Sequence, residues 1–296
     1  VALLGTSSHF ASQSQELNNA VKLVGDLEIR LLNLRRNEKD FLLRSDIKYL
    51  DKFNGNVDNF VNIEQELSDI LNRYDLPSSQ RFKQNLIAYQ KGFENLVAAY
   101  ERFGLNADSG LLAGFEQALS DAEQMANHQQ VIALTKFAQR VRAGQMDESL
   151  IQDLYAPVLL KNARQLATQK QTIGVAYNKG LLGDTRALSH TVEEQFKTFS
   201  SELNKAVHVH NARNTLVKQI ITAVVFVTVV ALILQISRSI NTRVSSLLVT
   251  IKTISESNDM GLRSTLTGKD ELADISHHLN DLLDKLETLI LSLIHI

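Results

Sequence analysis

The residues of this 296-residue chain that have chemistry to offer are few, and their spacing bounds each of them. His208 and His210 form a His-x-His pair and His277-His278 are adjacent, but a metal site needs three or four converging ligands and neither pair has a third nearby. Both read as solvated helix residues. The absence of cysteine excludes disulfides and thiolate chemistry, and no phosphate-cradling glycine loop, nucleophile elbow or metal-ligand spacing occurs. Catalysis, a cofactor and a metal are therefore not expected. What remains is charge at helical spacing: Arg35 with Glu38 three residues on, Arg36 with Asp40 four on, Arg30 and Arg44 on the same segment, and Arg186 with Thr191 far downstream. As ordinary ion pairs on a helix face, the first two contribute a few tenths of a kcal/mol. Glu38 differs, because it falls on the apolar stripe between Leu34 and Phe41, where an unpaired carboxylate is costly; a partner from its own or a facing helix is expected. Arg186 and Thr191, five residues apart, point about 140° apart around a helix.

These side chains have to be held by helices. Two prolines, thirteen glycines and no tryptophan, in a chain rich in Leu, Ala, Gln, Glu and Lys, predict an all-α protein with few corners. A net charge of −2 implies no general attraction to nucleic acid or acidic lipid. Gln219 to Ser237 carries no charge and is closed by Lys218 and Arg238. As a helix it covers roughly 28 Å, the hydrocarbon thickness of a bilayer, so it reads as a membrane span, with the hydroxyl of Thr228 bonding back to the preceding turn. The bland alternative, a buried helix of a soluble domain, fits poorly with apolar residues on every face.

Upstream, Leu17, Val21, Val24, Leu27, Leu31, Leu34 and Phe41 step by threes and fours, predicting one helix from Ala11 to about Phe53, stopped by Asn54-Gly55. A shorter helix is expected from about Val57 to Tyr74, then a turn at Leu76 to Ser79 with a ready N-cap. Phe82, Leu86, Tyr89, Phe93, Leu96, Tyr100 and Phe103 form a further bundle stripe. Gly110 to Ser120 resembles Gly180 to Ser189 if one residue is deleted, an internal repeat of about seventy residues in which Gln117 takes the place of Arg186. Between the copies helix continues to Arg142, pauses at Ala143-Gly144 and resumes from Asp147 to Tyr177, with Pro157 either kinking it or starting a new helix. The last helix before the span starts near Asp184 and shows no stop signal before the apolar stretch. Beyond it, Ile240, Val244, Leu247, Ile251 and Ile254 step by four and three; after a polar connector from Glu256 to Lys269, so do Leu272, Ile275, Leu279, Leu282, Leu286, Leu289 and Leu293. Two such helices bury their stripes only with a second copy, which implies a homodimer.

The segment from Ser237 to about Leu289 resembles a HAMP linker: Ser257 to Arg263 is similar to that family's connector, and Asp270-Glu271 to Ile275, followed by Leu279-Asn280, to the start of its second helix, although Arg243 or a neighbour stands where the family usually has proline. Leu34 to Arg44 and the Gly-Leu-Leu-Gly repeat resemble the helical bimodular sensor domain of bacterial chemoreceptors and sensor kinases. The resemblance implies two stacked four-helix-bundle modules sharing long helices in residues 11–217, a membrane helix at 218–237 and a HAMP pair at 238–290, with 1–10 the remnant of an upstream span or the start of the first helix and 291–296 a continuation. It implies a transmembrane receptor for chemotaxis in a bacterial inner membrane, sensor periplasmic and HAMP cytoplasmic, handing its signal to cytoplasmic proteins through a region beyond Ile296. Charge does not fix that orientation, since three basic residues flank the span on each side. The ligand class implied is a small organic acid. Its carboxylate calls for the planar fork of arginine, which nominates Arg30, Arg35, Arg36 and Arg44 on the first helix and Arg186 with Thr191 on the last. Glu271, Leu272, Ile275 and Leu279 are implied as relay positions. A sensor histidine kinase shares the same modules, and a passive membrane tether is the alternative of another class.

Overall fold

The computed structural model describes residues 2–294, with side chains from residue 10 to residue 292. The described residues form eight α-helices and one 3-10 turn, with no strand. The chain divides into two compact units, Val1–Asn214 and Thr215–Ile296. Val1, His295 and Ile296 lie outside the described residues, and with them the ends of the expected 1–10 and 291–296 segments.

In the first unit, α1 (Ala2–Arg44) is followed by α2 (Lys48–Arg73) and α3 (Gln80–Phe103). The expected stop at Asn54-Gly55 is overturned: both residues lie inside α2, and the break falls at Ser45 to Ile47. There Ser45 takes φ +50 and its N–H donates to the Phe41 carbonyl at 2.7 Å, while Asp46 accepts from the Lys48 N–H at 3.0 Å. Packing explains the override. Phe53, Val57 and Phe60 are buried on one face of α2, so a straight helix through Gly55 keeps all three in the core, against about 1 kcal/mol of intrinsic glycine penalty. Ser79 stands at the N-cap of α3 without a capping bond of its own: Ser78 accepts the Gln80 N–H at 3.3 Å, while the Ser79 hydroxyl donates to buried Glu64 at 2.6 Å, and the other oxygen of that carboxylate pairs with Lys83 at 2.5 Å.

α1, α2, α3 and the first part of α7 (Gly180–Ser257) surround one core. Its rings interlock edge to face: Phe41 on Phe93 at 5.7 Å, Phe60 on Phe82 at 5.8 Å and Phe82 on Phe196 at 5.6 Å. Each such pair adds about 0.5–1.5 kcal/mol beyond area burial. α4 (Gly110–Met125), α5 (His128–Arg142), the 3-10 turn Glu148–Ile151 and α6 (Pro157–Ile173) enclose a second core. This core has three α-helices, one fewer than expected of a four-helix module. α4 and α5 are separate helices because Asn127 makes a capping box with Gln130, a local signal that apolar periodicity does not carry. Pro157 starts α6 at a position where its missing N–H costs nothing. Phe103 packs against both cores, and Gln169 donates to the Ala99 carbonyl at 2.9 Å, tying α6 to α3.

α7 runs without interruption from Gly180 to Ser257. It is long and apolar enough to cross a membrane: its most apolar window has a mean hydropathy of 2.6 and no buried residue, and Thr228 does donate to the Val224 carbonyl at 2.8 Å. In the second unit, α8 (Glu271–Ile294) follows a connector that it holds by side chains. Asp270 caps α8 by accepting the Ala273 N–H and pairs with Arg243; Asn280 accepts the Ser264 N–H at 2.9 Å and donates to the Ser264 carbonyl at 3.0 Å.

Candidate functional site

The start of α7 is set by a repeated turn. Gly104 and Gly174 have φ +123 and +125, Gly110 and Gly180 have +57 and +56, and in each pair the spacing is seventy residues. Such φ values are open to glycine and strained for other residues, so each turn needs both of its glycines. The equivalence is therefore ungapped, which corrects the one-residue deletion: Arg186 matches Glu116, not Gln117. It also places Thr185 and Ser189 where the first copy has Phe115 and Leu119, and all four are buried. The second copy thus carries hydroxyls at positions that are apolar core in the first.

Those hydroxyls have partners. Thr185 donates to the Gly92 carbonyl at 3.1 Å, and a Cβ on Gly92 would meet the Leu188 side chain at 2.7 Å, so α3 and α7 pack closely here. Ser189 accepts from Arg35 of α1. The same guanidinium pairs with Glu193, one turn further along α7, at 2.9 Å, and lies 3.5 Å from Glu38 on its own helix. Glu38 accepts from the phenol of Tyr89 on α3, whose ring packs on Phe53 of α2 at 5.1 Å. Four helices thus converge on one polar cluster inside an aromatic core. Burial raises the Glu38 carboxyl above its ordinary value, while the Tyr89 hydrogen bond and the charges of Arg35 and Lys39 pull it down and Glu193 pushes it up. Burial, then the charge of Glu38, holds the Tyr89 phenol well above its own, so Tyr89 keeps its proton and remains the donor.

A groove of about 720 Å³ opens beside the cluster between α1 and α7. Glu28, Leu31 and Leu32 line one wall, Phe196 and Lys197 the other, and Glu193 is shared between the groove and Arg35. The carboxylate that holds Arg35 is thereby one of the two, with Glu28, that a solute entering the groove would meet.

The other nominated residues lie elsewhere. Arg30 is half-buried on α1. Arg36 and Arg44 are exposed and share Asp40 at 3.9 and 3.8 Å. Arg186 is exposed and lies 4.7 Å over the Tyr177 ring, and Thr191 is exposed with its hydroxyl turned back to the Ala187 carbonyl at 3.0 Å. Of the nominated arginines and Thr191, only Arg35 enters the cluster; Thr185, Ser189, Glu193 and Tyr89 were not nominated. The ungapped repeat was the signal for Thr185 and Ser189, since it sets hydroxyls against Phe115 and Leu119. Among the described residues no group of acidic and histidine side chains is arranged to hold a metal.

In the second unit Glu271 opens α8 and is exposed, Leu272 and Leu279 are half-buried, and Ile275 is exposed. Ile275, Leu282 and Leu289 are more than half exposed, leaving an apolar stripe along α8 uncovered. Comparison of the chain with protein-family models, with curated proteins and with solved structures gave no match.

Proposed function

We propose that the chain is the input half of a transmembrane receptor: its helical bundle binds a small organic acid, and α7 carries the change through the bilayer to a dimeric HAMP pair, for chemotaxis. The observation that carries the reading is Arg35. Its guanidinium is largely buried, yet it is held by Glu193 at the edge of an open groove, so a ligand carboxylate can replace Glu193 on the same fork. That exchange frees α7 at Glu193 while Ser189 stays attached, and it favours one packing of α7 only to the extent that the ligand binds that packing better. The unbroken α7 supports transmission, because a helix without a hinge preserves a shift of one or two ångströms. The uncovered stripe of α8 supports pairing with a second copy, with Glu271, Leu272, Ile275 and Leu279 as relay positions. In this reading residues 11–217 face the periplasm of a bacterial inner membrane.

A thermal-shift screen of the full chain in nanodiscs with organic acids, amino acids and amines tests it. A carboxylate at a hundred times its dissociation constant adds about 2.7 kcal/mol to the stability of the bundle. Arg35→Ala removes that increment and Arg186→Ala keeps it. A chain that no compound stabilises is a tether, not a receptor.

A further inference from the structure

We propose that the four-helix bundle also binds a proton, at Glu38, and that this proton sets how firmly α1 grips α7. The proposal requires α7 to be the element that moves, but not that the ligand be an organic acid.

The geometry makes Arg35 a shared resource. Its guanidinium stands 2.9 Å from Glu193 on α7 and 3.5 Å from Glu38 on α1, and it also donates to Ser189 of α7. With Glu38 ionised, two carboxylates compete for one cation, and the pull toward Glu38 is a pull away from α7. When a proton from water adds to the free oxygen Oε1, Glu38 becomes a neutral acid, Tyr89 keeps its hydrogen bond to Oε2, and Arg35 is left to Glu193 and Ser189. Acid therefore tightens the link between α1 and α7 and alkali loosens it. The charged and titratable neighbours of Glu38 are Arg35 and Lys39 on its own helix, Tyr89 on α3 and Glu193 on α7; α2 turns the ring of Phe53, not a charge, toward Tyr89. His190 lies 3.5 Å from Glu193 and is the one further protonatable group in contact with it among the ion pairs of the described residues. The burial of Glu38 places the protonation above the ordinary carboxylate value, closer to the pH of natural surroundings.

The chain has no cysteine, so nitroxide labels can be placed at the exposed positions Leu43 of α1 and Ala187 of α7 and their separation read by pulsed electron resonance in nanodiscs. Between about pH 4 and about pH 9 the wild-type distance distribution is expected to pass from narrow to broad, with its midpoint above the ordinary carboxylate value. Glu38→Gln, which cannot ionise, should show the narrow distribution at every pH. Tyr89→Phe withdraws the hydrogen bond that favours the carboxylate and should move the midpoint upward, and this variant keeps the test open should Glu38→Gln not fold. His190→Gln should leave the midpoint in place. A wild-type distribution that does not change with pH, a transition that persists in Glu38→Gln, or one abolished by His190→Gln would overturn the proposal.

Discussion

Arg35 of α1 and Glu193 of α7 meet at 2.9 Å from opposite ends of the first unit's chain, and beside this contact the second copy of the internal repeat sets the hydroxyls of Thr185 and Ser189 where the first sets Phe115 and Leu119. The pair lies between the core and the groove. Its removal from either side is therefore felt both in stability and in the position of α7.

Arg35→Ala leaves Glu38 buried without its cation and takes from Glu193 its contact to α1, and should cost about 1–3 kcal/mol in denaturant unfolding. Arg36→Ala, at an exposed residue 3.9 Å from Asp40, should stay within about 0.5 kcal/mol. Equal effects of the two changes would mean that the cluster is not a site of concentrated charge.

Stability should fall with rising pH where Glu38 titrates. Its folded value is raised, so its contribution is complete below the ordinary carboxylate value and is lost as pH climbs through the elevated one. Over that window the wild type should lose stability relative to Glu38→Gln in thermal unfolding. A gain would show that the carboxylate is the favoured form.

A turn glycine and two helical ones should respond oppositely to alanine. At Gly180, with φ +56, a Cβ would meet the Thr172 carbonyl at 2.5 Å, and Gly180→Ala should destabilise by about 1–2 kcal/mol or more. Gly25 and Gly55 sit in helices where an added Cβ would have nothing within 4 Å, and alanine there should stabilise by up to about 1 kcal/mol. Thermal unfolding of the three variants separates the cases.

Asn280→Ala should free the connector of the second unit. It removes both hydrogen bonds to the Ser264 backbone, about 1–2 kcal/mol of local stability, and hydrogen exchange from residue 258 to residue 270 should quicken several-fold. Unchanged exchange would place the restraint elsewhere, with Arg263 and its partners Asp284 and Glu287 the next to examine.

The helices were readable because their stripes are regular: Phe82 to Phe103 and, apart from exposed Val21, Leu17 to Phe41 mark faces that the first core covers. The break at Ser45 was not, since it rests on a positive φ at a residue other than glycine, while Asn54-Gly55 looked like a stop and was overruled by Phe53, Val57 and Phe60. Glu38 announced its need for a partner by its place on an apolar stripe, and Arg35 supplies one. Tyr89 lies 51 residues beyond Glu38 and Ser189 lies 154 beyond Arg35, with Glu193 one turn further on. No periodicity within one helix reports which side chains face one another across a core.

Signalling through α7 requires its apolar part to lie in lipid with its two flanks on opposite sides. Single cysteines placed along residues 215–241 of the full chain in sealed bacterial membranes, and exposed to a maleimide that cannot cross them, measure this directly. Protection of 219–237, with labelling at Lys218 from one side and at Arg238 only from the other, is the predicted result. Labelling throughout 219–237, or of both flanks from one side, would contradict it.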